Sequence, residues 1–459
     1  MDEQFKLMGY YDVEPLGRKY ESEDGRIIRG IPSKNNKIAM EMFKCGMIKE
    51  LMDKSLIPHM EVIHGDETFS MYIEEEKIPY VVYPYEWSWE MIYAAAECVL
   101  KANEVALKYG YQLVDPHSYN IVFRGTVPYY VDLGSFHKVT KSNICWLGRH
   151  HFLRNYLYPL RIASQKRGYG APVIAKCLIG LDSIDIDLLE FTHFFSWKCP
   201  KGMIDFGWKA YNIIRGYSFE VYRRITRERA VETCHRYQKE TDKLKKELRK
   251  YKVNDIGRWS NYHDIVKKNG ELEKGNRFDR LCGMLNNLDI DTSFEFGGNQ
   301  GVFSNMLVER GIVQRALCSD YDSGAIDQAF IYHNGKRDMY FAVCNVMDTM
   351  ERGFHKRSER FKSDIVIALA LTHHLILTQK VRLSSLLEIL TQYTNRYILI
   401  EFMPLGLWDG KKAEKVPDWY TLEWFLKEMA EYFDVIETLQ TEQNRIAILG
   451  ELKQKDEKK

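Results

Sequence analysis

Beyond residue 253 the apolar positions gather into short runs rich in β-branched and aromatic residues, separated by stretches of helical period. The runs Thr292–Phe296, Arg315–Ser319, Tyr340–Asn345, Asp364–Leu371 and Tyr397–Phe402 read as strands. Between them, Val302–Arg310 is closed by Gly311, Gly324–His333 is closed by Gly335, and Leu383–Gln392 completes the set of helices. Such alternation predicts an α/β fold with a parallel sheet flanked by helices. A further helix, Leu422–Tyr432, precedes two β-rich runs, Val435–Thr441 and Arg445–Leu452, joined by a short polar turn. That pair must be antiparallel, because a parallel return needs a crossover of about a dozen residues.

The earlier part of the chain is patterned differently. A long helix is predicted over Trp89–Tyr109, with Ile92, Ala95, Cys98 or Val99, Ala102 and Val105 or Ala106 spaced for one buried face. From Trp146 to about Tyr222 aromatic residues are dense at helical spacing, which reads as core. A charged stretch from Arg223 to Lys252 has few large apolar residues and reads as a solvated linker helix. The expected organisation is a mixed α+β domain over 1–222, a helical linker over 223–252, and the α/β domain over 253–459.

Composition narrows the function. Across 459 residues, 65 Lys and Arg stand against 64 Asp and Glu, a net charge of +1, so no global field draws the chain to nucleic acid or an anionic membrane. The longest apolar run, Ile365–Leu371, is far short of a bilayer span, and the first residues resemble neither a signal nor a transit peptide. Nine cysteines are scattered with no C-x-x-C pair, as expected of reduced thiols in a cytoplasmic protein. Nothing has the spacing of a metal site.

The strongest chemical signal is Glu295-Phe296-Gly297-Gly298-Asn299-Gln300-Gly301, which leaves the first predicted strand and opens a helix. Glycines let a backbone approach a ligand closely, and a helix N-terminus presents free N–H groups. Asp320 follows at the end of the second strand, where a carboxylate can accept both hydroxyls of a ribose. A dinucleotide loop wants a glycine at the position of Asn299. The loop resembles instead the E/D-x-G-x-G/N-x-G signature of class I S-adenosylmethionine-dependent methyltransferases.

The resemblance runs from about Ile256 to Leu452. It includes Trp259-Ser260-Asn261-Tyr262, Ser319-Asp320-Tyr321-Asp322, Val346-Met347-Asp348, Ala368 to His374, and Ile400-Glu401-Phe402-Met403-Pro404. These pieces look like a bacterial group of class I methyltransferases with a long N-terminal extension, which also carries a piece like Pro84-Tyr85-Glu86-Trp87-Ser88. The likeness implies a Rossmann-like sheet and S-adenosyl-L-methionine as cofactor. Glu295, Gly297, Gly298, Asn299, Gly301 and Asp320 would form its site, with Asn345 near the adenine, although an acidic residue is frequent there. A base for a hydroxyl acceptor is expected beyond the fourth and fifth strands. His373 or His374 is the first choice, since an ordinary imidazole titrates near neutral pH. Glu401 and Asp409 also lie in that region.

Ahead of the linker, Leu113-Val114-Asp115-Pro116-His117-Ser118-Tyr119-Asn120 and Asp132-Leu133-Gly134 resemble the catalytic and metal loops of protein-kinase-like proteins. By that likeness Asp115 would be the base and Asn120 and Asp132 would hold Mg-ATP. No glycine-rich phosphate loop or V-A-I-K-like lysine accompanies them, so turn formation and strand capping account for the same residues. The expectation is a methyltransferase acting on a small polar or glycan-type acceptor. Its alternatives are a bifunctional kinase–methyltransferase modifying a glycan, and a scaffold that binds S-adenosylmethionine without turnover.

Overall fold

A computed structural model describes residues 5–7, 16–22, 25–66, 69–140, 143–164, 207, 210, 213–221, 228–253, 257, 260, 273–348, 355–408 and 415–454. The chain divides into two compact units that do not follow the order of the sequence. Unit 1 comprises residues 1–78, 92–122 and 128–254; unit 2 comprises 79–91, 123–127 and 255–459.

Unit 1 opens with five strands, β1 (Phe5–Leu7), β2 (Arg18–Ser22), β3 (Ile27–Ile31), β4 (Met60–His64) and β5 (Met71–Glu75), in the order β1-β2-β3-β5-β4. Every pair is antiparallel. The middle strand, β3, is buried along its whole length, including Arg29, whose Nε lies 3.0 Å from Glu75 Oε1. Lys19 Nζ reaches the other oxygen of Glu75 at 2.7 Å. Burial alone would raise the Glu75 pKa, but these two cations outweigh it and hold the carboxyl below its ordinary value. Helices Ser33–Lys44 and Met47–Asp53 follow β3.

The helix Trp89–Lys108 ends one residue short of its predicted end and leads to β6 (Tyr111–Leu113). Next come β7 (Ile121–Arg124) and β8 (Val127–Tyr130), which form a two-stranded sheet, and then β9 (Phe136–Lys138), which pairs with β6. Trp146, Phe152 and Tyr156 are fully buried, as the core reading of the aromatic stretch expects, but at its far end Ile213, Ile214 and Tyr217 are exposed, against that reading. The FTHFFSWK segment lies outside the described residues.

The charged stretch forms a helix, as predicted, with most of its side chains exposed or half-buried. Helix Ala230–Leu248 belongs to unit 1 and buries a single stripe, Thr233, Tyr237, Thr241, Leu244 and Leu248. Asn103 Nδ2 donates to Thr241 Oγ1 at 3.1 Å, and Asn103 Oδ1 accepts from Leu113 N at 3.0 Å. Three of these five residues bear hydroxyls, so the stripe carries little hydropathy signal, and hydrogen bonds do much of what leucines would do in a more apolar helix.

Unit 2 is built on seven strands: β10 (Thr292–Phe296), β11 (Arg315–Asp320), β12 (Met339–Val343), β13 (Ser363–Ala368), β14 (Thr394–Phe402), β15 (Phe433–Glu442) and β16 (Arg445–Leu452). Their order is β12-β11-β10-β13-β14-β16-β15. The first five in sequence run parallel and β15 pairs antiparallel with β16, as predicted; β16 also pairs antiparallel with β14. Helices Val302–Glu309, Ser323–Tyr332, Leu383–Thr391 and Leu422–Met429 also lie where the pattern places them.

One layer of unit 2 comes from elsewhere in the chain. The crossover from β12 to β13 contains only the four-residue helix Arg357–Arg360 among its described residues. Residues 79–91 and 123–127 pack into the same unit. Tyr80 meets Tyr340 edge-on at 5.1 Å, and its hydroxyl lies 2.7 Å from Ser363 Oγ. Phe123 meets Phe330, and Thr126 N donates to Lys336 O at 2.9 Å. Glu86 is fully buried between Arg357 and Arg360, at 3.0 and 2.7 Å. The expected boundary at 253 therefore does not enclose the whole of the second unit. A local pattern cannot show it, because these contacts join residues more than two hundred positions apart.

No helix among the described residues is long and apolar enough to cross a membrane.

Candidate functional site

The glycine loop leaves β10 and enters helix Val302–Glu309 through left-handed backbone at Gly297 (φ 68°), Asn299 (φ 51°) and Gly301 (φ 69°). Asparagine is among the few side-chain-bearing residues that enter this region readily. Behind the loop there is no room: a Cβ on Gly298 would lie 2.6 Å from Cys318 Sγ and 2.8 Å from Glu295 Cδ. A Cβ on Gly297 would meet nothing closer than Leu371 Cδ1 at 3.6 Å. The tight packing lies under the loop and the space lies at its entrance.

Glu295 is placed behind the loop, fully buried, and accepts a hydrogen bond from Ser304 Oγ. Burial raises its pKa to about 7. Asp320, at the end of β11, binds the backbone: one oxygen accepts from Asn299 N at 3.0 Å and the other from Asp322 N at 2.9 Å. Burial lifts its pKa to about 6 despite those bonds. No cation pairs with either carboxylate among the described residues. An ionised carboxylate has about four acceptor positions, so Asp320 can serve two backbone amides and still accept from two adjacent hydroxyls.

Gln300 extends the loop's support. Its Nε2 donates to Ser260 O at 2.9 Å and to Gln328 Oε1, and Ser260 Oγ donates to Asp322 Oδ1 at 3.1 Å. Asp322 in turn caps helix Ser323–Tyr332. Trp259, Asn261 and Tyr262 lie outside the described residues. The predicted third strand stops at Val343, and Asn345 turns away from it, its Oδ1 accepting from Met347 N at 2.9 Å. The structure places Asn345 in an exposed turn just beyond β12.

The fourth strand is shorter than predicted. It ends at Ala368, and Ala370 enters left-handed backbone (φ 50°) with its N–H on Glu401 Oε2 at 2.9 Å. Thr372 Oγ1 donates to Glu401 O at 2.7 Å, and the chain turns into the His374–Thr378 segment. His373 and His374 come together there, ring centres 4.0 Å apart. His373 is buried, and its Nδ1 has no hydrogen-bond partner among the described residues. Burial, with the charge of Arg445 as a smaller cause, lowers its pKa to about 3, so it is neutral at physiological pH.

Glu401 does not qualify as a base. Arg277 grips it through two bonds of 3.0 and 2.8 Å, and Arg445 adds a third at 3.1 Å. Burial pushes its pKa up, but the two guanidinium groups outweigh that and hold it at about 2. Arg277 and Arg445 lie more than forty positions from Glu401 on either side, and no sequence spacing announces them. Asp409 lies outside the described residues.

In unit 1, Asn120 meets the backbone of Asp115, while Asp132 serves its own turn. Asn120 Nδ2 and Tyr130 Oη both donate to Asp115 O, at 3.0 and 2.7 Å, and Val131 N donates to Asn120 O at 2.9 Å. Asp132 caps the turn Leu133–Ser135 through Gly134 N at 2.9 Å. Lys19, which sequence reasoning missed, donates to Val131 O at 2.9 Å while paired with Glu75. Gly134 also borders a cavity of about 950 Å³ walled by Tyr20, Phe69 and Phe136. No cluster of three or more His, Cys, Asp or Glu able to hold a metal ion occurs among the described residues.

No protein-family model matches the sequence. A curated relative, the nodulation protein NoeA of Rhizobium meliloti (strain 1021), is 25% identical over 414 residues, covering 85% of this chain and 83% of its own. Among solved structures, the N-methyltransferase NodS of Bradyrhizobium japonicum WM9, in complex with S-adenosyl-L-homocysteine, is similar at 13% identity and a TM-score of 0.29. That match covers 39% of this chain and 89% of NodS. An S-adenosylmethionine-dependent methyltransferase from Clostridium acetobutylicum ATCC 824 is similar at 10% identity and a TM-score of 0.31, over 42% of this chain and 98% of its own.

Proposed function

We propose that this protein is an S-adenosylmethionine-dependent methyltransferase working in the cytoplasm on a small polar or glycan-type acceptor. The observation that carries this reading is Asp320, a desolvated carboxylate tied to the glycine loop by backbone amides alone. The residues fit the cofactor: Gly297 leaves the loop's entrance clear, and Asp320 offers acceptors suited to a ribose diol. When bound, S-adenosylmethionine supplies an electrophilic methyl group on a sulfonium sulfur. The chain's part is to orient the acceptor and dispose of its proton, and alignment of this kind can supply ~7–11 kcal/mol.

His373 and His374 divide the second task. The neutral His373 accepts a hydrogen bond from the acceptor and orients it, while the less buried His374 is the candidate to take a proton. Glu401 holds the turn that carries both, through Ala370 and Thr372. Calorimetric titration tests the proposal: S-adenosylhomocysteine is expected to bind the protein and to lose binding in Asp320→Ala. Wild-type protein that takes up neither S-adenosylmethionine nor its product would end it.

A second reading, a bifunctional kinase–methyltransferase, is favoured by Lys19, whose Nζ reaches the carbonyl of Val131 next to Asp132, and by Asn120, whose amide lies on Asp115 O. In that reading Lys19 is the phosphate lysine that no motif announces, and Asn120 and Asp132 hold Mg²⁺. Mg-ATP binding abolished by Asp132→Ala would support it.

A further inference from the structure

Unit 2 carries a second concavity that the proposed transfer chemistry does not use. It is a cleft of about 370 Å³ lined in part by Ile376, Lys380, Arg382, Ser384, Trp419 and Trp424. Trp419 is 52% exposed, an unusual state for so large an apolar surface. Its ring meets Trp424 edge-on, centres 4.9 Å apart at 72°. Trp424 stands in the first turn of helix Leu422–Met429, anchored by Thr421 Oγ1, which accepts from its backbone N at 3.2 Å. The outer indole is thereby braced at a fixed attitude while part of its surface stays wet.

The rim is polar. Glu428 lies one helical turn beyond Trp424 on the same face and also lines the cleft. Lys380 adopts left-handed backbone (φ 59°), disfavoured for a residue with a Cβ, and its Nζ is fixed on Leu377 O at 2.7 Å. An apolar peptide seated here would take the charges of Lys380, Arg382 and Glu428 out of water and supply no polar group in return, which is costly. A pyranose ring suits the cleft: its C–H face lies on an indole while its equatorial hydroxyls reach both donors and acceptors. The volume falls at the lower end of small-molecule sites.

We infer that the cleft lined by Trp419 and Trp424 is a saccharide subsite that holds one sugar ring of the methyl acceptor. Ile376, part of its wall, lies three residues beyond His373 in the segment that follows the histidine pair, so the subsite adjoins the proposed acceptor end. The inference deepens the proposed function and rests on it for the word acceptor, while the binding surface stands by itself.

Saturation-transfer NMR on the full chain tests it, with maltotetraose, chitotetraose and tetragalacturonate as neutral, N-acetylated and anionic probes, and S-adenosylhomocysteine titrated in parallel. At least one oligosaccharide is expected to bind, with transfer concentrated on the C–H protons of one ring face. Trp419→Ala is expected to weaken binding about tenfold or more, the usual scale for losing a central aromatic anchor. Trp419→Tyr keeps a stacking face and is expected to retain it. Because Trp419 is half exposed, the variants are expected to melt like wild type and to bind S-adenosylhomocysteine unchanged. If no probe binds while S-adenosylhomocysteine does, or if binding survives Trp419→Ala, the subsite is overturned. If a saccharide binds in a Trp419-dependent way and S-adenosylhomocysteine does not, the subsite stands and the methyltransferase reading falls.

Discussion

At the end of β11, Asp320 lies buried against backbone amides alone, whereas at the end of β14 Glu401 lies buried between two guanidinium groups. Both are carboxylates at the carboxyl edge of one sheet, and burial pushes both pKa values upward. The partners decide the outcome, about 6 for Asp320 and about 2 for Glu401. A carboxylate whose charge is already matched is scaffolding, because any ligand must compete with fixed cations. A carboxylate held by amides keeps unmet acceptor capacity, so a ligand that donates hydrogen bonds lowers its free energy. Glu75 follows the pattern of Glu401, and Glu295 follows that of Asp320; Glu86 is likewise buried between two guanidinium groups.

The largest break of this contrast removes a clamped carboxylate. Glu401→Ala leaves buried Arg277 without its counter-ion while Arg445 keeps Glu442, Glu86→Ala takes the close carboxylate from Arg357 and Arg360, and each is expected to cost about 3–5 kcal/mol of stability, measured by urea unfolding. A fragment of residues 253–459 lacks Glu86 and is expected to lose its cooperative melting transition. A fragment that melted like unit 2 of the intact chain would show that the N-terminal segments are dispensable. Next in size, Asp320→Ala is expected to weaken S-adenosylhomocysteine binding on the order of 10²-fold, since two charge-assisted hydrogen bonds are lost, with a smaller change in unfolding free energy. Equal losses of stability in Asp320→Ala and Glu401→Ala would erase the distinction.

Gly298→Ala sharpens the picture of the loop's underside. Its new Cβ would press on Cys318 and Glu295, an expected cost of about 1–3 kcal/mol, and Cys318→Ala in the same chain is expected to return part of it. A thermal melt of the single and double variants decides the point.

The smallest effects are those of pH. With Asp320 titrating at about 6, affinity for S-adenosylhomocysteine is expected to fall about tenfold between pH 7 and pH 5, as the acceptor form is lost. Calorimetry at the two pH values giving equal affinities would remove Asp320 from the site. Stability shifts carry opposite signs. Glu401, lowered from 4.5 to about 2, contributes stability that is present above pH 4.5 and is lost as pH falls towards 2. Glu295, raised from 4.5 to about 7, contributes fully below pH 4.5 and loses that contribution as pH rises through 7. Glu295→Gln is therefore expected to flatten the stability profile between those values.

Much of unit 2 was legible because its signals are local. Strand β10 matches its predicted limits, and the glycine loop and the antiparallel β15–β16 pair lie where pattern and turn chemistry put them. Where prediction overran, a tertiary hydrogen bond had intervened. Leu369–Leu371 is apolar enough for a strand, but Glu401 takes the N–H of Ala370 and turns the chain. The helix within 223–252 was legible but its buried stripe was not, since threonines and Tyr237 bury by hydrogen bonding as well as by apolar contact. His373 was chosen for an ordinary imidazole pKa, which its burial then removed.

By itself, the sequence determined the period of each element, the order of strand and helix beyond residue 253, and the spacing of the loop and Asp320, because these depend on neighbours within a turn or two. Tertiary structure alone decided that residues 79–91 and 123–127 complete unit 2, that Arg277 and Arg445 neutralise Glu401, and that Lys19 reaches Val131. Charge and burial act through space, and space is shared by residues that the chain keeps far apart.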